Sequence, residues 1–511
     1  MENSWLYYII LTFLFLISVS KLFILHNKQK KNKNLAPSPP SIPIIGHLHL
    51  LNKGPPYKTL QQLSLKYGPI FSLRFGFRSV IVVSSPSAVE ECFTKNDLNF
   101  ANRPRFLSGK HLNYNFTTVG AAPYGTLWKN LRRFTAMEIF SKARLNESLG
   151  VRKEEIKLLI KDLSNKSSLS QDFAVKVEMK SKLSELSFNI VMRIVAGKRY
   201  FGDQVENYEE ARNFRELIRG VAYLSGASNA DFLPFLIDYE GLEKRMMGLQ
   251  REFDAFIQGL IDEHKKKICS SNDIIGRKTV IESMLELQQS EPEFYSDEII
   301  KGIILVLLLA GTDTTAVTME WAMDLLLNHP NVLKKARAEL DYHVGHNCLV
   351  EEPDLSKLPY LQGIVNEALR LYPAVPLLVP RESSNDCTIG RFDVPSKTML
   401  LVNAWSIHRD PKLWDDPESF KPERYDGLED EAYKLKLIPF GLGRRRCPGA
   451  GLANREVALA LASLIQCFEW ERIDEELVNM DEGMGLSMPK AKPLEAMCRV
   501  REEMREVILE L

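Results

Sequence analysis

The chain has 511 residues, 45% of them hydrophobic and 26% charged, and its 66 basic and 66 acidic side chains cancel to a formal net charge of zero. This is an ordinary globular balance with enough chain for a large core, and without a basic surplus it excludes nucleic acid as an expected partner. Its 7 cysteines are odd in number and scattered with no CxxC pair, which excludes a disulfide framework and fits a reducing compartment.

Residues 5–25, WLYYIILTFLFLISVSKLFIL, are apolar apart from Lys21 and a few hydroxyls. The stretch is long enough to span a hydrocarbon core of ~30 Å. Lys28, Lys30, Lys31 and Lys33 follow it, and only Glu2 carries charge before it. The bulk of the chain is therefore expected in the cytosol, behind a single transmembrane anchor at residues 1–26. The opening MENSW is not basic and no A-x-A follows, which argues against a cleaved signal peptide. Residues 27–45 read as a basic stop-transfer segment and a stiff hinge, because Pro37, Pro39, Pro40 and Pro43 cannot continue a helix. With this topology the glycosylation sequons at Asn115, Asn146 and Asn165 are chance matches. Residues 46–511 show no composition break and read as one domain.

Residues 58–67 predict a helix. Residues 70–85, with β-branched and aromatic side chains around Gly76, predict a hairpin. Helical periodicity dominates from 86 to 345. Its clearest element runs from Asp297 to Asn328, with Ser296 as N-cap, Asp297 and Glu298 in the first turn and Pro330 at the end. At 1.5 Å per residue that helix is ~48 Å long, enough to cross the molecule. A helix is expected from 360 to 371, short strands from 377 to 402, and a buried apolar helix after Cys447, in GLANREVALALASLIQCF. The fold class is mostly α with small β-sheets.

PFGLGRRRCPGAG, residues 439–451, sets Cys447 behind three arginines and among four glycines. An inert buried thiol is disfavoured, since arginines do not enter a dry core unpaired. A nucleophile fits the cations and the following helix N-terminus, but no histidine is near in sequence. Zinc lacks companion ligands here, and the other candidate cluster, His343, His346 and Cys348, lacks a fourth. An anionic macrocycle accounts for more: glycines give the backbone a close approach, helix amides stabilise a thiolate, and arginines bind carboxylates.

The stretch resembles the heme signature of the cytochrome P450 family, F-x-x-G-x-R-x-C-x-G, at Phe440, Gly443, Arg445, Cys447 and Gly449. EALR supplies Glu367 and Arg370, FKPERY supplies Arg424, and AGTDTT at 310–315 resembles the family's oxygen-binding groove. The stretches FANRPRFLSGKHLNYN, APYG and EECFTKND resemble a plant A-type group with isoflavone hydroxylases and methylenedioxy-bridge-forming enzymes. The resemblance covers essentially the whole chain. It implies a long central helix over heme b, with Cys447 as the iron ligand. Arg445, Trp128, Arg132, Arg381, Phe440 and Gly441 would bind the heme. Thr314 and Asp313 would be catalytic, the first holding a water or the reduced oxygen and the second relaying protons from solvent. Glu367, Arg370 and Arg424 would form a structural ion network.

No dinucleotide fingerprint or flavin domain is present, so electrons from NADPH would come through a separate membrane-bound NADPH-cytochrome P450 reductase. Lys129, Arg132 and Arg133 could offer it a basic face. The resemblance implies residence in the endoplasmic reticulum membrane and O2-dependent hydroxylation of a hydrophobic flavonoid, lignan, terpenoid or alkaloid. Ring or methylenedioxy-bridge formation is the alternative, and an O2-independent isomerase or dehydratase is disfavoured by the intact Asp313-Thr314. Substrate contacts are expected in the loops 103–122, 205–240, 374–378 and 482–487, with Phe106, Phe116, Val375 and Leu378 as walls.

Overall fold

The computed structural model describes Tyr7 and residues 34–511, apart from 52–53, 169–173, 203–207, 237–240, 271–277, 428–432 and 486. The predicted anchor, Tyr7 apart, and the basic segment before residue 34 lie outside them. The proline-rich stretch that follows is laid along strand β1 (Ile70–Phe75): Ser72 donates its N–H to Pro37 O at 2.8 Å and its hydroxyl to Ala36 O at 2.9 Å.

The central helix spans Asp297–Asn328. Ser296 caps it, its hydroxyl accepting from Ile299 N at 3.4 Å, and Pro330 opens the next helix. Every residue from Thr315 to Leu327 is buried. The helices Met179–Ala196 and Ala450–Cys467 pack against it and share its main apolar core. Among the described residues it is the one helix long and apolar enough to cross a membrane, and its apolar stretch is 61% buried inside the protein, as befits a core helix.

The hairpin pairs β1 with β2 (Arg78–Val83) antiparallel. Later strands are β3 (Ala174–Glu178), β4 (Arg381–Glu382), β5 (Cys387–Ile389), β6 (Phe392–Val394), β7 (Met399–Val402), β8 (Phe468–Glu471) and β9 (Glu495–Val500). They form sheets ordered β1-β2-β7-β4, β3-β9-β8 and β5-β6. The β3 strand lies inside the stretch that reads as helical. Its pairing with β9, Ala174 opposite Arg499, is a long-range contact that overrides local preference.

The helix Pro359–Leu371 carries Glu367 and Arg370, both with side chains 0% exposed. Arg370 grips the Glu367 carboxylate with two N–H donors at 2.7 Å, and Arg424 Nε joins at 3.0 Å. The remaining guanidinium donors go to carbonyls of His408, Pro417 and Ser419. Burial rules out a surface ion pair.

His408 beside this network is fully buried, and its Nε2 accepts from Ile438 N at 2.9 Å. Burial first, then the Arg370 and Arg409 cations, push its pKa down to about 3. An unfolded histidine titrates near ~6.5, so below that pH the unfolded chain binds a proton that the folded one refuses. The stabilising contribution is therefore complete above about pH 6.5 and is lost as pH falls from there towards 3. His408→Gln should flatten the acid arm of stability, read as the urea midpoint against pH over that window. An equal slope in variant and parent would contradict it.

Candidate active site

A cavity of about 320 Å³ lies between the central helix and the Cys447 loop. Ile303, Val306, Leu307, Ala310, Gly311 and Thr314 line one side, and Phe440, Gly441, Cys447 and Gly449 line the other. The loop is a series of tight turns: Gly441 N to Ile438 O at 3.0 Å, Arg446 N to Gly443 O at 3.0 Å, and Cys447 N to Phe440 O at 2.9 Å. Gly441 and Gly443 both take φ +68°, which side chains rarely adopt. The expectation that all four glycines make room for a macrocycle is corrected at two of them. A Cβ on Gly443 would sit 2.3 Å from Asp97 Oδ1, and one on Gly451 would meet Leu145 at 3.3 Å, so both are small for protein neighbours.

Burial pushes the Cys447 thiol up, opposed by the N–H groups of Gly449 and Ala450 and by the charges of Arg132 and Arg446. The cavity lining contains no histidine, so the nucleophile reading has no base. Among the described residues no group of His, Cys, Asp or Glu could hold a metal ion, which removes zinc at His343, His346 and Cys348.

The cations around the cavity are poorly matched by anions, with Asp97, among the described residues, the one carboxylate paired to Arg381. Arg445 donates only to carbonyls, Ala101 at 2.7 Å, Val119 at 3.3 Å and Ala122 at 2.5 Å, and stacks 4.3 Å over Trp128. Arg381 donates to Leu442 O at 2.5 Å and lies 3.8 Å over Phe93, with Asp97 at 3.7 Å. Its buried NH1 has no hydrogen-bond partner. Burial and the neighbouring arginine charges depress Arg445 to about 9, and burial depresses Arg381 to about 10. Arg132 also lines the cavity. Arg103, which sequence reasoning missed, joins them, held on the carbonyls of Val379 and Pro380 at 2.7 Å. This cluster calls for a buried anion with more than one carboxylate.

The Trp128 N–H is spent on Val119 O at 3.1 Å, so its contact with the cavity is through the ring. Thr314 lines the cavity, its hydroxyl donating to Ala310 O at 2.7 Å, and Asp313 lies off the lining with an exposed side chain. Val375 and Leu378 are walls, as expected. Phe106 and Phe116 are not: Phe106 packs on Phe232 with ring centroids 6.3 Å apart, and Phe116 lies against Gly109 under Arg105.

A family model described as Cytochrome P450 matches residues 36–498. The chain belongs to the cytochrome P450 family. It is 55% identical to cytochrome P450 81Q32 of Catharanthus roseus over 100% of both chains. It is 52% identical to an isoflavone 3'-hydroxylase of Medicago truncatula, over 96% of this chain and 97% of that one. It is 51% identical to a (+)-piperitol/(+)-sesamin synthase of Sesamum radiatum, over 95% of each.

This P450 is a monooxygenase of a family whose cofactor is heme b with a cysteine thiolate ligand. The residues present fit that group: one cysteine sulfur faces the cavity, and the arginine cluster, in which Arg381 NH1 makes no hydrogen bond and only a 3.7 Å ion pair to Asp97, suits its two carboxylates. Arg381→Gln should weaken heme retention by roughly 10- to 100-fold, the range for a lost hydrogen bond to a charged group. A heme titration of the purified protein reads this, and unchanged affinity would show that Arg381 holds no propionate.

Proposed function

We propose that this P450 inserts one oxygen atom from O2 into a hydrophobic plant metabolite of the flavonoid, lignan, terpenoid or alkaloid class. The carrying observation is the cavity wall opposite Cys447. Ile303, Val306, Leu307, Ala310, Val375 and Leu378 form an apolar surface, while the charged lining residues are the arginines and Glu456 of the cysteine helix. Such a wall accepts a flat uncharged molecule and rejects a charged one. The isoflavone hydroxylase at 52% identity favours aromatic hydroxylation. The sesamin synthase at 51% favours the second reading, closure of a methylenedioxy bridge between neighbouring oxygens.

When bound, the heme supplies oxygen activation, with Cys447 as its ligand through the thiolate. Arg445, Arg381, Arg132 and Arg103 hold the carboxylates, and Phe440, Gly441 and Trp128 shape the pocket. Thr314, its proton committed to Ala310 O, presents its oxygen to the cavity as an acceptor for a water or O–H group. Asp313, one residue earlier and exposed, takes protons from solvent. Lys129 and Arg133 are exposed four residues apart on the helix Thr126–Phe134, while Arg132 turns inward; that pair suits docking of an acidic NADPH-cytochrome P450 reductase. The apolar N-terminal stretch supports a single-pass anchor in the endoplasmic reticulum membrane, with this domain cytosolic.

The test is a microsomal assay with reductase against flavonoids, lignans, terpenoids and alkaloids. An NADPH-dependent oxygenated or ring-closed product is expected, and turnover of a hydroperoxide without NADPH would overturn the reading. Thr314→Ala should keep the heme but waste NADPH, lowering product per NADPH by roughly 10-fold, the cost of one lost hydrogen bond. Unchanged coupling would remove Thr314 from proton delivery.

A further inference from the structure

The central helix carries a polar stripe through its apolar body. Glu320, Asp324 and Asn328 lie on one face together with Asp313, and all four are met by one C-terminal segment. Val478 N donates to Asn328 Oδ1 at 2.8 Å, Leu494 N to Glu320 Oε1 at 2.9 Å, and Lys490 Nζ to Asp324 Oδ1 at 2.5 Å. Trp321 Nε1 adds a bond to Met488 O at 2.9 Å, and Met488 N reaches Ala374 O, on the cavity wall, at 2.8 Å. These bonds fix the segment along the helix and bring its Ser487, only 7% exposed, against Asp313. The Ser487 hydroxyl donates to Asp313 Oδ2.

We infer that Ser487 is a positioning residue for proton delivery, aiming the Asp313 carboxylate. The inference rests on the reading of Asp313 as the solvent-side proton carrier. Asp313 is exposed, and among the described residues this is the hydrogen bond its side chain makes. Without it the carboxylate would sample other rotamers, and a proton carrier acts only from one direction. With Oδ2 occupied, Oδ1 is left to water. The Glu320 and Asp324 rungs are buried and structural and the Asn328 rung is half-buried, while the Ser487 rung joins a buried hydroxyl to a wet carboxylate. That mixed environment suits a group that must be held still and yet exchange protons.

The test uses the holoenzyme with reductase, quantified by its carbonyl band, with the isoflavone daidzein as probe. Rates of NADPH oxidation are compared in light and heavy water for the parent, Ser487→Ala, Ser487→Thr and Asp313→Asn. Ser487→Ala should slow oxidation about 10-fold, the cost of one hydrogen bond to a charged group, and raise the solvent isotope effect, with Ser487→Thr restoring both. Amide hydrogen exchange around Ser487 should rise in Ser487→Ala and stay near the parent level in Asp313→Asn, whose amide oxygen still accepts from the hydroxyl. Slowing in Asp313→Asn with no change in Ser487→Ala overturns the inference and leaves the relay. No change in either variant removes the relay and the inference with it. Unaltered exchange in Ser487→Ala, or failure of threonine to rescue, overturns the hydroxyl's role.

Discussion

Cys447→Ser should abolish the red-shifted band that the reduced protein gives with carbon monoxide, and NADPH-dependent product formation should fall to background. The substitution changes one atom, and the atom decides the ligand. Burial raises the Cys447 thiol, and the amides of Gly449 and Ala450 with the charges of Arg132 and Arg446 offset only part of that rise, so the thiolate would be completed by binding of the iron. A serine hydroxyl lies far outside the reach of the same donors. No other side chain can take over, because the cavity lining holds no histidine and no second cysteine. The fold should survive, since serine fits the space and Cys447 N keeps its bond to Phe440 O. Survival of the band in Cys447→Ser would sink the ligand assignment, and loss of the band with an intact melting transition would separate ligation from folding.

What could be read in advance divides along a physical line. Features set by adjacent residues were legible. Ser296 and Pro330 bound the central helix because capping and the proline ring act locally. The hairpin followed from β-branched side chains around Gly76, and the Cys447 turns from spaced glycines. Features set by distant segments were not. Arg103 and Arg105 look alike in RPR, and carbonyls of Gly120, Val379 and Pro380, brought in from other segments, turn Arg103 to the cavity. Gly443 looked like room for a cofactor, but its missing side chain is where Asp97 comes in. Phe106 and Phe116 sat in the right loop, and their rings went to Phe232 and Gly109 instead. Asp313 and Thr314 are neighbours in sequence, yet a helix turns by about 100° per residue, so one lines the cavity and the other meets solvent.

Glu367→Ala should cost about 3–5 kcal/mol, a large share of what holds an ordinary domain folded. Glu367 is the single acid in a nest of two cations, and it accepts from Arg370, Arg424, the Lys421 N–H and the Tyr425 hydroxyl. Its loss leaves the Arg370 guanidinium 0% exposed among carbonyls, with no negative charge in contact. The carbonyls cannot move away without unpicking the segment 408–425, which leads directly into the Cys447 loop. Heme-free or insoluble protein is therefore the expected outcome, and a defect confined to turnover is not. Arg424→Ala should be milder. Arg424 is 10% exposed, and its removal leaves the two-pronged Arg370–Glu367 pair neutral and intact. Melting midpoints and carbonyl-band yield, measured on both variants, order the two effects. Equal losses, or a Glu367→Ala protein that keeps its band and midpoint, would mean that backbone carbonyls alone suffice to bury Arg370.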